Sequence, residues 1–393
     1  MDEQAFRDEV RGVLSGRLRL KSGEVGFSFL GAGQDDLEAG RELLAALADG
    51  GWGVPTWPSR WGGRGATPEQ AAIIAQELSR FEVPDLYPFM VGMALVGPTL
   101  LAHGTESQHE RWLPAIASGA EIWCQLFSEP DAGSDLAALA ARAVPDGDVW
   151  RVSGQKVWSS RAHYSKWGLL LARTDVDVPK HAGITAFALD MSVPGVDVRP
   201  LRQMNGDIHF NEVFMTDAVV SDADRIGDVG DGWRVAITTL MHERGALGPG
   251  GGPGRRELID LIRRVGAADD VLTRERTARV ISELEVGRLT NLRAREARRA
   301  GRPPGPEGSG AKLRGAAAIK ALADVAIDLE GLVGLIGEDE WLTLFLTAPS
   351  ISIRGGTDEI QRNILGERVL GLPPEPRPDK GVPFKEVPRS ASP

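Results

Sequence analysis

The stretch Cys124–Asp135, CQLFSEPDAGSD, is followed after a strand-like interval by Ser153–Ser160, SGQKVWSS, and this pairing decides how the chain is read. The two segments supply two hydroxyls, Ser128 and Ser160, and one large aromatic face, Trp158. On extended backbone that set suits the edge of a planar, redox-active ring, which needs hydrogen bonds along its rim and an apolar wall beside it.

Upstream of this core the pattern is helical. Phe6, Val10 and Leu14 recur at helical spacing, as do Leu43, Leu44 and Leu47 before Gly50-Gly51 ends the run. The turn-rich stretch GWGVPTWPSRWGGRG at 51–65 precedes helices expected near 68–81 and 89–103. From 124 to 228 the period changes: VWRVSGQKVW, WGLLLART, GITAFALDM and HFNEVFM are β-branched and aromatic, punctuated by Asp146-Gly147 and Pro194-Gly195. Such spacing predicts a small antiparallel barrel or sandwich. After Gly232 helices return, interrupted by Gly/Pro-rich stretches at 245–254 and 301–310. The fold class is therefore α+β: an N-terminal helical domain (1–123), a β domain (124–228), a C-terminal helical bundle (229–371) and a proline-rich tail (372–393). The tail buries too little of itself to fold alone and is expected to be loose or draped over a neighbouring subunit.

With 393 residues the chain can bury a large core. A net charge of −10 and a pI near 5.3 argue against nucleic acid or an anionic membrane as the main partner, since neither meets the basic field it would need. Arg263-Arg264 and Arg298-Arg299 read as solvated helix faces. The single cysteine, Cys124, leaves no internal disulfide, fits a reducing compartment and reads as a small buried hydrophobe. The start, MDEQAFRDEV, lacks signal-peptide form, and no uncharged run has membrane-spanning length, so a cytoplasmic protein is expected. His103, His109, His163, His181, His209 and His242 show no metal-ligand spacing, and no metal site is expected.

The two opening blocks resemble the flavin-contacting core of acyl-CoA dehydrogenases, TEPGAGSD followed by G-x-K-x-W-I-T. Serine replaces threonine at Ser128 and Ser160 and keeps each hydroxyl, while Asp131 departs from the usual Gly. The resemblance runs over nearly the whole chain, through GTESQHERWLPAIASGAE (104–121), NEVFMTDAVV (211–220) and RGGTDEIQRNILGERVLGLP (354–373), and the helical, β, helical order is the family's. It implies bound FAD and desaturation of an acyl-CoA thioester in lipid metabolism such as fatty acid β-oxidation. Electrons would go to an electron-transfer flavoprotein, and the assembly would be a homo- or hetero-oligomer.

The resemblance also assigns residues. Phe127 and Ser128 match positions at the pyrimidine edge of the ring, and Trp158 and Ser160 match its wall and the hydroxyl near N5. Thr357 and Glu359 match positions on the pyrophosphate and adenosine portions, although Glu359 stands for the usual Gln and Thr357 reads equally well as a helix N-cap. Ser134 matches a position that bonds the CoA moiety and also reads as a turn residue.

Family members most often carry the catalytic base in a Y-E-G-T block, which here is Arg354-Gly355-Gly356-Thr357 and lacks the carboxylate. Isovaleryl and long-chain types carry it in an E-R pair on the helix after the β domain, and here that pair is Glu243-Arg244, with Arg244 on the substrate side. The spacing supports this independently. Trp233, Ala236, Leu240, Glu243 and Leu247 fall three and four apart, which puts Glu243 on an apolar stripe. A carboxylate there is costly unless it is paired or has the raised pKa useful to a general base; a structural ion pair is the other reading. Gly355 keeps its N–H, so it can still stabilise an oxyanion, and its missing side chain leaves room for a bulky acyl group. Arg354 adds charge near the pocket or on a surface. The family's R-x-x-F-G block has no counterpart in RRVGAADDVLTRERTARV, and its Gly-Gly-x-Gly-Tyr element has become LEGLVGLIGEDEW. Two alternatives stay open: an oxygen-using oxidase of the same fold, and a non-catalytic partner subunit of a hetero-oligomer.

Overall fold

The computed structural model describes residues 2–21, 35–246, 253–299, 305–306, 308–337 and 339–388. Helices α1 (Glu3–Ser15), α2 (Leu37–Ala48), α3 (Pro68–Leu78), α4 (Tyr87–Met90), α5 (Gly97–His103) and α6 (Glu106–Ala117) come first. Strands follow: β1 (Trp123–Leu126), β2 (Arg142–Asp146), β3 (Val149–Ser160), β4 (Trp167–Arg173), β5 (Ile184–Asp190), β6 (Val196–Leu201), β7 (Phe210–Ser221) and β8 (Arg225–Ile226). Helices α7 (Gly232–Ala246), α8 (Arg255–Arg264), α9 (Val271–Arg299), α10 (Gly308–Glu330), α11 (Leu332–Ile336), α12 (Glu340–Thr347) and α13 (Asp358–Arg368) complete the chain.

The N-terminal helices form where the pattern put them. Phe6, Val10 and Leu14 are the buried face of α1. Thr67 and Thr105 each open a helix with a reciprocal capping box, to Gln70 and Gln108. The helix expected at 89–103 starts earlier, at Tyr87, and passes through a π-helical turn at Val91–Val96 before α5. Such a turn shifts the register of the face it presents, and this one packs on α7.

The sheet runs β6-β7-β3-β2-β4-β5-β8, with β1 beside β4. Most pairs are antiparallel as expected, yet β1 and β2 both lie parallel to β4. Strand β4 is buried at every position, so it reads as one continuous apolar run without alternation. Trp112 of α6, Trp123 of β1 and Trp167 of β4 meet with ring centroids 5.5, 5.6 and 5.8 Å apart. Val235 and Ala236 of α7 join the same core, and each buried side chain of this size contributes roughly 1.5–3 kcal/mol. Gly232 seats α7 on β5: a Cβ there would sit 2.7 Å from the Thr185 carbonyl carbon, so a side chain would lift the helix away. Helices α8, α10 and α12 build a separate core from Leu258, Leu261, Leu322, Trp341 and Leu344.

The tail departs from expectation. It lies along its own β domain, where Phe384 N–H donates to Val178 O at 2.9 Å and Lys385 N–H to Val176 O at 3.0 Å. Among the described tail residues one apolar side chain, Phe384, is buried in the process and anchors the segment. Cys124 is buried, and burial pushes its thiol up to about 12. No helix among the described residues is long and apolar enough to cross a membrane, and no group of three or more His, Cys, Asp or Glu among them could hold a metal ion. Leu247 and residues 248–252 of the first Gly/Pro stretch, and 301–304 of the second, lie outside the described residues.

Candidate active site

Strand β3 is built to turn one side chain outward. Its register against β7 shifts between Lys156, opposite Val213, and Ser159, opposite Asn211, which is a β-bulge. At the bulge Trp158 has φ +60, a conformation that bulky residues rarely adopt, and its indole is 61% exposed, edge-on to Phe210 at 6.0 Å. Ser128 and Ser160 are half-buried on the adjoining backbone.

The two motif segments are fastened together beneath that aromatic face. Val157 N–H donates to Ser128 O at 2.9 Å. The Lys156 ammonium, with no exposed surface, donates to Phe127 O at 3.0 Å and to the Glu129 carboxylate at 2.8 Å. Glu129 also accepts from the N–H groups of Ala140 and Ala141. Burial pulls the Lys156 pKa down, and Glu129 opposes it. Sequence reasoning passed over this pair, although both residues lie inside the quoted motifs; the available signal was a charged residue in each of two otherwise buried segments.

Beyond β3, Arg161 also has a positive φ, +57, and it links three parts of the chain. Its guanidinium forks onto Asp35 with two 2.8 Å bonds and covers the Tyr87 ring at 4.4 Å. Tyr164 donates to the same Asp35 carboxylate at 2.5 Å. Tyr87, at the start of α4, is the meeting point for the site's charges. Burial pushes its phenol up, the positive charges of Arg354 and Arg161 pull it down, and the negative charge of Glu243 pushes it up. Glu243 of α7 and Arg354, next to Gly355, thus both act on the Tyr87 phenol, the ring that Arg161 covers just past β3.

Helix α7 delivers Glu243 through packing. Trp233 and Leu240 pack against the shared core beside Ala236, as the stripe predicts, and Thr239 bonds Thr99 of α5 at 2.9 Å. Glu243 follows on that face, half-buried. The Arg244 side chain lies outside the described residues, although its backbone is helical.

Gly355 and Gly356 have φ of +65 and +83, in the region where glycine is favoured. The buried Gln361 amide donates to both their carbonyls, at 3.2 and 3.4 Å, and fixes this backbone. Thr357 caps α13 by accepting from Ile360 N–H, so the capping reading is realised. Glu359 is exposed and pairs with Arg362. Arg354 is half-buried, and burial lowers its pKa. Ser134 is exposed in the turn before Leu136, away from the Tyr87 group in sequence and bounded by Asp135, which pairs with Lys180 at 2.7 Å. An outward aromatic face with two half-buried hydroxyls on rigid backbone fits the rim and wall of a planar ring.

Residues 1–120, 124–218 and 230–370 match, in order, the models of the N-terminal, middle and C-terminal domains of acyl-CoA dehydrogenases. Acyl-CoA dehydrogenase IpdE1 of Mycobacterium tuberculosis is 42% identical over 384 residues, covering 95% of this chain and 99% of that protein. Acyl-CoA dehydrogenase FadE34 of the same organism is 44% identical over 84% of this chain, and the chain spans about half of that relative, 46% of its length. Among solved structures, one titled Tcur3481-Tcur3483 steroid ACAD aligns with a TM-score of 0.79 at 28% identity, covering 95% of this chain and 99% of that one. The ChsE4-ChsE5 complex from Mycobacterium tuberculosis aligns with a TM-score of 0.74 at 26% identity, with the same coverage.

Proposed function

Because this chain belongs to the acyl-CoA dehydrogenase family, we propose that it desaturates a CoA thioester between its α and β carbons, with Glu243 as the base. What FAD supplies when bound is a two-electron acceptor for the β hydride. Phe127 and Ser128 would hold its pyrimidine edge, Trp158 its wall, Ser160 the region of N5, and Thr357 and Glu359 its pyrophosphate and adenosine portions. Glu243 removes the α proton. The Gly355 N–H donates to the thioester carbonyl as negative charge develops there, a role that needs no side chain. Ser134 binds the CoA portion and Arg244 lies on the substrate side. Electrons pass on to an electron-transfer flavoprotein.

The observation that supports this reading most is that the half-buried Glu243 on the packed face of α7 and Arg354 beside Gly355 both act electrostatically on the Tyr87 phenol, whose ring is covered by Arg161 just past the end of β3. A second motif-based carboxylate is absent at Gly355, which leaves the proton transfer to α7. For the substrate, the steroid named in a neighbour's title and the side-chain-free Gly355 both favour a bulky, polycyclic acyl group. Two of the solved neighbours are named as pairs of chains, which favours assembly with a non-identical partner.

The test is anaerobic mixing of the FAD-loaded protein with a panel of CoA thioesters while flavin absorbance is followed. Bleaching by a steroid-derived or branched thioester, with slow reoxidation in air, is the expected result. Rapid reoxidation with peroxide release would favour the oxidase, and no bleaching by any thioester would favour the non-catalytic subunit.

A further inference from the structure

The turn that carries Ser134 is held by two cations, and each of them also grips the C-terminal tail. Arg173 at the end of β4 is buried, 3% exposed. It donates to Ala137 O at 2.6 Å and to Leu139 O at 3.1 Å, the carbonyls that close the short helical turn after Asp135. The Phe384 ring covers the same guanidinium at 3.8 Å. Lys180 Nζ lies 2.7 Å from the Asp135 carboxylate and 2.5 Å from that of Asp379. The tail is sewn to the 176–179 loop by the Phe384 and Lys385 N–H bonds and by the pair between Lys385 and Asp177 at 2.6 Å.

A guanidinium shielded from water by an aromatic ring bonds carbonyls more strongly than a hydrated one, because competing water is excluded and the local dielectric is low. Phe384 therefore does more than fill space: it sets how tightly Arg173 holds residues 137 and 139, and Asp379 helps orient Lys180 toward Asp135. We propose that residues 377–388 are a positioning strap for the Ser134 turn, anchored by Phe384, and that they thereby set the affinity for the CoA portion of the substrate. The affinity half of this inference rests on the reading of Ser134 given above; the mechanical half does not.

The experiment compares Phe384→Ala, Phe384→Leu and Asp379→Asn with the unaltered chain, each loaded with FAD. Hydrogen exchange at amides 136–141, CoA affinity by calorimetry with free CoA, and KM and kcat are measured. Phe384→Ala is expected to speed exchange at 136–141 by about tenfold while leaving α10 unchanged, because only the local opening is made easier. It should weaken CoA by about fivefold or more and raise KM equally, with kcat and FAD content within about twofold, since a floppier turn must be ordered on binding. Phe384→Leu, which still covers Arg173, should recover most of the loss, a response that a general loss of stability would not give. Asp379→Asn, a change at a half-buried ion-paired position, carries the test if Phe384→Ala does not fold, with the same signs and smaller size. Unchanged exchange at 136–141, or faster exchange with CoA affinity intact, overturns the proposal. Should free CoA bind while no thioester bleaches the flavin, the proposed reaction fails and the strap is judged on CoA affinity alone.

Discussion

Lys156 Nζ lies 2.8 Å from the Glu129 carboxylate, and the lysine side chain is fully buried between the two segments that carry Phe127, Ser128 and Trp158. The pair is a rivet. Removing one partner from such a pair strands the other charge and costs roughly 3–5 kcal/mol. Lys156→Ala should therefore lower unfolding free energy by about 3 kcal/mol or more, and the protein should emerge from gel filtration depleted of FAD. Chemical denaturation together with the ratio of flavin to protein absorbance checks both; normal stability with full flavin would remove the rivet from the account.

Trp158 carries backbone strain at the candidate site. A non-glycine residue at φ +60 costs about 1–2 kcal/mol, partly offset here by the edge-on Phe210 contact. Trp158→Gly relieves the backbone and removes the wall. Stability should change by less than about 1 kcal/mol in either direction while retained FAD falls several-fold. A large loss of thermal stability in that variant would show that the indole serves packing.

Glu77 sets an acid limit that is independent of the site. Hydrogen bonds from Arg11, outweighing burial and reinforced by Arg80 and Arg7, hold its carboxyl at about 2, below the usual 4.5. A folded-state pKa below the unfolded one means stability that is complete above about pH 4.5 and lost as pH falls toward 2. The contribution at neutral pH is at most roughly 3 kcal/mol. Glu77→Gln should destabilise the protein at pH 7, and its deficit against the unaltered protein should shrink through that window. Unfolding curves at pH 7, 5 and 3 measure it, and a deficit that stays constant down to pH 3 contradicts the assignment.

What could be read from the sequence was whatever repeats at a fixed period or sits in a motif. Phe6, Val10 and Leu14 announced α1, and the face of α7 was visible from Trp233, Ala236 and Leu240. The change to short β-branched segments at 124 located the sheet, because alternation is a local property. Long-range partners carry no such signal. The Lys156–Glu129 pair spans 27 residues and the Arg161–Asp35 fork 126, and nothing in the periodicity of either segment says which charge meets which. The parallel placement of β1 against β4 is equally silent, since strand pattern does not encode partner direction. The tail was misjudged from composition, for one buried residue, Phe384, outweighs the polarity of its neighbours.

The proposed removal of the α proton by Glu243 is tested most directly by the anaerobic rate of flavin reduction in Glu243→Gln by whichever CoA thioester reduces the unaltered protein fastest. Loss of a general base predicts a fall of about a hundredfold to ten-thousandfold, with FAD content and CoA affinity retained. A rate within about tenfold of the unaltered protein, in a variant that still holds its flavin, would contradict the account.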